Sequence, residues 1–413
     1  MSTSPRRWRL VLMLCLTATA GYMCRVNVST AGALLMDEFG LSQVDMGRVF
    51  SAFLLGYAIF QLPSGMLADR WGAKKVLTLA SVLWVVLTIL QLVPGLGSLG
   101  NSVAFSLPVF LMLRFLVGVS ASPAYPAAAR GVSSWVDEPF RGTASGIILS
   151  SVGLGSALTP LLVTYAMVEG GWRVGMLMSA VPAALMAIGW LWIKEPAPIV
   201  HASQGLVSAA PNPVVRWSRL ILLTVSYSLQ SYVGYVFVSW FYLYLVQERH
   251  FSLLEGAWAS SLPWVLSIVS IPLGGWITDR LMLSRVGPVW GVRLVPLVAM
   301  IFSGILISIG AHTGSPIMAA VSLAFAIAFI LCVEGPFWTT ATRVAGARSG
   351  TAGGFMNTGG NIGGLLSPLV TPWVASRIGW EGSLHIAAGL AVVGGLLWLA
   401  IGDNARQREI ERQ

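Results

Sequence analysis

The sequence predicts an all-α integral membrane protein with twelve transmembrane helices in two pseudo-symmetric six-helix bundles, on three observations. Of its 413 residues, 56% are hydrophobic and only 10% charged, against about 25% charged in a soluble domain. The apolar runs reach the ~20 residues needed to cross a bilayer core. The two halves of the chain also repeat: Arg141-Gly142-Thr143-Ala144-Ser145-Gly146 answers Arg348-Ser349-Gly350-Thr351-Ala352-Gly353-Gly354. Thr143 and Thr351, Pro160 and Pro368, and Trp172 and Trp380 each lie 208 residues apart, and Asp69-Arg70 recurs as Asp279-Arg280 at 210.

In order, the first span runs from about Leu10 to Met36 and ends in an external turn, Asp37 to Ser42. Met1 to Arg9 is basic, but the run that follows is too long for a signal peptide and has no cleavage site, so it reads as a retained span. Span 2 (Asp45 to Ala68) leads through a basic loop into span 3 (Val76 to Leu92), and Pro94 to Asn101 is a Gly-rich external loop. Span 4 covers Ala104 to Ala129, and spans 5 and 6 cover Thr143 to Met167 and Arg173 to Ile193. Pro196 to Pro213, the one long Pro/Ser/Ala-rich stretch, reads as a linker between halves. The expected division is therefore a bundle at 1–195, a cytoplasmic linker at 196–216 and a second bundle at 217–413. Spans 7 to 12 follow: Ser218 to Val246, Leu253 to Leu281, Trp290 to Ala311, Pro316 to Thr342, Thr351 to Val374 and Ser383 to Ile401.

The net charge of +9 is a topology signal rather than a nucleic-acid footprint. Of 25 Lys and Arg, only Arg48, Arg173, Arg249 and Arg377 fall on the outer side and only Arg25 and Arg114 fall deep inside spans, away from their ends. The positive-inside bias then puts both termini in the cytoplasm. Cys15, Cys24 and Cys332 sit in apolar runs without metal spacing, and no disulfide framework is implied. The four histidines pair with no Cys, Asp or Glu at metal spacing, and no nucleophile–base pair appears; neither an enzyme nor a cofactor is expected.

Arg25 is the central residue. A guanidinium cannot lose its charge, and placing it at the centre of a spanning helix costs roughly 2.5–3.5 kcal/mol on insertion scales. Residues three or four apart share a helix face, so Arg25 stands with Gly21, Tyr22, Ser29 and Gly32. Arg114 lies sixteen residues before Arg130 and Arg25 sixteen after Arg9, which puts both ~24 Å from the inner face at 1.5 Å per residue. Two like charges at one level repel unless something anionic bridges them, and no carboxylate on either helix is placed to do so. An anionic substrate held by bidentate contacts answers that; separate pockets of backbone carbonyls are the alternative. Glu334, in Cys332-Val333-Glu334-Gly335-Pro336-Phe337-Trp338, is the acidic residue deepest in a span. Burial disfavours its charged form unless a cation holds it, which suits a proton site; a structural hydrogen-bonding role is the alternative. Tyr57 and Gln61 on span 2, and Asn357 and Asn361 on span 11, add hydroxyl and amide groups.

Gly65-Met66-Leu67-Ala68-Asp69-Arg70-Trp71-Gly72-Ala73-Lys74-Lys75 closely resembles the loop signature G-x-L-A-D-R-x-G-x-K/R of the major facilitator superfamily. Arg25-Val26-Asn27, Ser51 to Tyr57 with Gln61-Leu62-Pro63, Arg114 to Gly118 with Pro123 to Ala127, and Gly354 to Asn361 resemble its anion:cation symporter family, which includes sugar-acid/proton symporters and sialic-acid and vesicular glutamate carriers. The resemblance covers nearly the whole chain. It implies the major facilitator fold and transport of a small organic anion by alternating access, with Arg25, Arg114 and Tyr57 at the substrate. It implies an Asp69-Arg70 latch on the inner side. Many sugar-acid symporters carry an aspartate just before the first arginine and a glutamate seven residues after the second; here those places hold Cys24 and Ala121.

The reading is a monomeric carrier in a bacterial inner membrane for a carboxylate such as a sugar acid. Arg25, Arg114, Tyr57, Asn361, Tyr22, Gln61, Asn357 and Trp338 are its substrate residues, and Glu334 is its proton site. Its partners are the anion, a proton or other coupling cation, and lipid. Uncoupled transport, exchange, sodium coupling and drug efflux stay open, as does a non-transporting receptor.

Overall fold

The computed structural model describes residues 5–94, 103–137, 140–194, 217–345 and 349–401. The expected linker at 196–216, most of the Gly-rich loop, Arg348 and the basic C-terminus lie outside the described residues. All regular structure among the described residues is helical: α1 (Pro5–Phe39), α2 (Gln43–Trp71), α3 (Ala73–Leu90), α4 (Val103–Ala121), α5 (Ala124–Trp135), α6 (Arg141–Trp192), α7 (Trp217–Gln247), α8 (Leu253–Leu283), α9 (Gly287–His312), α10 (Pro316–Leu331), α11 (Glu334–Ala345) and α12 (Ser349–Leu397). Ten stretches among the described residues have the length and apolarity to cross a membrane.

The sequence repeat reappears as repeated local structure. At the start of α2, the Ser42 hydroxyl accepts the Asp45 N–H (3.1 Å) while Asp45 accepts the Ser42 N–H (3.2 Å). At the start of α8, Ser252 and Glu255 do the same at 3.3 and 2.9 Å, 210 residues on. Each such capping box satisfies two backbone donors that a helix end otherwise orphans.

Two expected spans are broken where the sequence reading has them continuous. Span 4 divides into α4 and α5 at Ser122-Pro123, and span 10 divides into α10 and α11 at Cys332-Val333. The cause is shared: Pro126 and Pro336 are each the third residue of the second helix and bring no N–H for the carbonyl four residues back. The opposite happens elsewhere. Spans 5 and 6 form the 52-residue run α6, and spans 11 and 12 the 49-residue run α12. Each run is interrupted by one glycine, Gly171 (φ 75°, ψ 174°) or Gly379 (φ 78°, ψ 166°), in a backbone region closed to other L-residues.

The chain forms two compact units, Met1–Ser203 with Ser239–Val265, and Gln204–Val238 with Leu266–Gln413. Within the first, α1 is the hydrogen-bonded centre. Thr19 donates to the Ser151 carbonyl (3.0 Å), Trp190 Nε1 to Thr17 (2.9 Å) and Asn27 Nδ2 to the Ser179 hydroxyl (2.9 Å), so both arms of α6 are tied to α1. Below these bonds Leu10, Leu14, Leu77, Val132, Trp135 and Trp190 form a buried apolar cluster. Leu62, Leu191, Ile317 and Val269 face outward at 66–77% exposure, a surface that suits lipid and would be a liability in water.

α2 and α4 meet backbone to backbone. A Cβ on Gly118 would stand 2.0 Å from the Phe53 carbonyl oxygen, and one on Gly56 would stand 2.2 Å from that of Phe115. Gly118→Ala is therefore expected to lower thermal stability of the detergent-solubilised protein by an overpacking cost of about 1–3 kcal/mol or more. Gly146→Ala, with nothing within 4 Å, is the matched control and should be neutral or slightly stabilising. Thermal unfolding followed by tryptophan fluorescence distinguishes them; equal melting temperatures would mean that the α2–α4 crossing is loose.

Candidate functional site

The Gly56–Gly118 crossing sets Phe53 and Tyr57, on α2, beside Arg114, on α4. The Phe53 ring takes both guanidiniums: the Cζ atoms of Arg25 and Arg114 lie 4.9 and 5.1 Å from its centroid. Arg25 also stacks over Tyr22 (5.0 Å) and Tyr57 (5.6 Å). Aromatic faces hold a desolvated cation by about 2 kcal/mol or more each without cancelling its charge. The two arginines thus stand at one level, as counting along the helices predicts.

Their roles differ. Arg114 is 2% exposed. Its Nη2 donates to the carbonyl of Arg25 (2.8 Å) and its Nη1 to that of Cys24 (3.4 Å), while Nε has no hydrogen-bond partner. No carboxylate among the described residues pairs with it. Its fork therefore braces two consecutive carbonyls of α1, in the manner of the backbone-pocket alternative. Arg25, 9% exposed, lines a cavity together with Tyr22, Tyr57 and Tyr125. Arg25 Nη1 donates to the Tyr22 hydroxyl (3.2 Å), which lies 3.3 Å from the Tyr125 hydroxyl. That tyrosine pair has two hydroxyl hydrogens and uses one between them, leaving one O–H to donate. No Asp or Glu is among the residues that line this cavity. A permanent cation, a spare O–H and no acid make an environment for an oxyanion.

Gln61 Nε2 reaches the Tyr57 hydroxyl at 3.5 Å, one turn along α2. Asp69 and Arg70 lie apart from this cluster, exposed at the end of α2 and in no ion pair among the described residues. Gly21 of the expected stripe receives the Trp84 ring, 2.7 Å from where a Cβ would sit, and Gly32 receives Leu243.

The second unit holds a different polar centre. Glu334, at the first turn of α11, accepts the Tyr227 hydroxyl on Oε2 (3.2 Å) and Gln230 Nε2 on Oε1 (3.1 Å). Gln230 also donates to the Ile330 carbonyl (3.1 Å), and the Trp338 indole interacts with the same carboxyl. Trp338 is 44% exposed and packs beside Gly353. Asn357 and Asn361 are half-buried on α12. The intervening glycines let α12 approach α7: a Cβ on Gly360 would meet the Tyr227 ring at 2.6 Å, and one on Gly363 the Ser228 carbonyl at 2.0 Å.

Phe53, Tyr125 and Gln230 are the members of these two polar centres that are not among the residues expected from the sequence. The signal for Phe53 was its position one turn before Tyr57; nothing local marks Tyr125 or Gln230, whose partners lie 103 and 104 residues away.

The sequence model of the Major Facilitator Superfamily matches residues 13–368. The "Probable sulfoacetate transporter SauU" of Cupriavidus necator is 30% identical, with 96% of this chain and 94% of the relative covered. The "Hexuronate transporter" of Bacillus subtilis is 26% identical over 94% and 92%. Among solved structures, a bacterial homolog of the human lysosomal transporter Spinster superposes with a TM-score of 0.79 at 17% identity, covering 97% of each chain. With the helical architecture, the internal repeat and a family match over most of its length, the chain belongs to the Major Facilitator Superfamily.

Proposed function

We propose that this protein is a secondary active transporter of a small organic anion, and not an enzyme. The observation that carries the reading is the Arg25 guanidinium at the wall of a cavity whose lining includes no carboxylate, beside a tyrosine hydroxyl with a hydrogen to give. A cationic cargo would meet a like charge there with no carboxylate in the lining, which speaks against drug efflux of the cationic type. The names of the relatives, a sulfoacetate and a hexuronate transporter, support an acid as the cargo.

In this reading Arg25 receives the anionic group and Tyr22 and Tyr57 orient it. Arg114 holds the Cys24–Arg25 segment in place and adds a second fixed positive charge. Gln61, Asn357, Asn361 and Trp338 contribute polar contacts to the substrate's body, and Asp69 and Arg70 form an inner latch. The chain folds as two six-helix bundles, 1–195 and 217–413, joined by the linker 196–216. It crosses a bacterial inner membrane twelve times as a monomer, with both termini in the cytoplasm. The 50- and 46-residue apolar stretches broken at Gly171 and Gly379 support two crossings each, since a straight helix of such length would far exceed a core ~30 Å thick.

Glu334 is the proposed proton site. Tyr227 and Gln230 both donate to it, which stabilises the carboxylate against its burial. Protonated on Oε2, the carboxyl can donate to the Tyr227 oxygen while Oε1 still accepts from Gln230, so the site can hold or release a proton without losing either partner. Glu334→Gln is expected to leave anion binding intact and to make uptake indifferent to an imposed pH gradient. Proteoliposome uptake of a carboxylate library, with and without that gradient, tests both halves of the reading. Gradient-driven uptake undiminished in Glu334→Gln would remove the residue from coupling, and failure of every anion to enter would remove the function.

A further inference from the structure

One wall of the cavity at Arg25 comes from α3, a helix that contributes nothing to the arginine cluster. Leu77 and Trp84, two turns apart on one face of α3, both line the cavity and are both 1% exposed. The Trp84 indole lies against α1 at Gly21, where a Cβ would stand 2.7 Å from its Cη2 atom. Gly21 is one turn before Arg25 and shares its helix face, so the indole stands beside the face that carries the guanidinium. The Trp84 Nε1–H has no hydrogen-bond partner. Of the buried side-chain atoms in that condition among the described residues, it alone belongs to a residue lining this cavity. Thr17, on the same lining, is by contrast engaged twice, donating to the Met13 carbonyl (2.7 Å) and accepting from Trp190 Nε1 (2.9 Å).

An indole nitrogen donates and cannot accept. A buried donor left without a partner is costly and rare in folded proteins, and a phenylalanine would fill much of the same space without that cost. Resting on the organic-anion reading, we propose that Trp84 is a specificity-determining residue of the carrier. Its N–H donates to a second oxygen of the anion, carried on the body a few bonds from the acidic head at Arg25. Trp84 thereby tells acids with an oxygenated body (hydroxy, oxo or a second acidic group) from plain alkyl and aryl acids. An acid that lacks this oxygen leaves the donor buried and unpaired, the kind of loss by which a polar site rejects an analogue more strongly than an apolar pocket can. Charge at Arg25 holds the head, and one neutral hydrogen bond from α3 chooses among acids.

The test is competition for binding to the purified full-length protein, read by thermal shift, with levulinate and valerate, which differ by one carbonyl oxygen on the chain. Levulinamide is the uncharged control. The expected result is that the preference for levulinate over valerate falls by about fivefold in Trp84→Phe, the worth of one neutral hydrogen bond. Benzothienylalanine in place of Trp84 puts sulfur where the N–H was and keeps both rings. It should lower the preference to the same extent, and it answers the question if Trp84→Phe fails to fold. An unchanged preference in the benzothienyl protein, or equal weakening of both acids, would reduce Trp84 to a packing residue and overturn this inference while leaving the anion reading intact. Levulinamide binding to the wild type as tightly as levulinate would overturn both.

Discussion

Arg114→Ala is expected to abolish uptake while the protein still inserts and folds. The arginine fork spans two consecutive carbonyls of α1, at Cys24 and Arg25, and its charge shares the Phe53 ring with Arg25. Removing it frees the segment that carries Tyr22 and Arg25, and withdraws one of two fixed positive charges from a region of low dielectric. Truncating a buried, hydrogen-bonded charge costs about 2–5 kcal/mol, so a loss of at least ~30-fold in uptake is expected. Arg114→Lys keeps the charge but has no planar fork to bridge two carbonyls, and should recover only a small part of the activity. Uptake in proteoliposomes, with melting temperature as a control for folding, reads both variants. Retained uptake with normal affinity in Arg114→Ala would refute the role.

Arg25→Gln should be as severe, by a different route. Arg25 is the guanidinium at the cavity wall, so its loss removes the attraction for the anion itself and leaves the α1 backbone bonds of Arg114 in place. Glutamine retains hydrogen-bonding capacity next to Tyr22 but no charge, and the rings of Tyr22, Phe53 and Tyr57 lose their cation. Affinity for the anion should fall by about 100-fold or more, the worth of a desolvated charge-assisted pair, with the melting temperature read alongside as the control for folding. A variant that binds anions normally would mean that the acidic group docks elsewhere.

Much of the architecture was legible in the chain because membrane insertion leaves strong marks. Apolar runs and anchors such as Trp172 and Trp380 identify the helical membrane-protein class and the repeat without any contact information. The breaks at Ser122-Pro123 and Cys332-Val333 were legible too, in Pro126 and Pro336, but hydropathy carries straight across them and conceals the interruption. What was not legible is which face meets which. Counting residues puts Arg25 and Arg114 at one depth, yet only the Gly56–Gly118 crossing brings Phe53 between them and sends one arginine to the α1 backbone and the other to the cavity. Glu334 stood out as a deep carboxyl, but its clamp by Tyr227 and Gln230 depends on α7 lying against α11, a pairing that no local pattern encodes.

The central claim is that a permanent positive charge at the cavity wall selects an acid as cargo. Its most direct test is the binding of matched carboxylates and their neutral amides, drawn from aliphatic, aromatic and sugar acids, to the wild-type protein and to Arg25→Gln. The account predicts that the wild type prefers the best-bound carboxylate over its amide by about 100-fold and that this preference collapses in the variant. Equal affinity for acid and amide in the wild type, or an undiminished preference in Arg25→Gln, would contradict it.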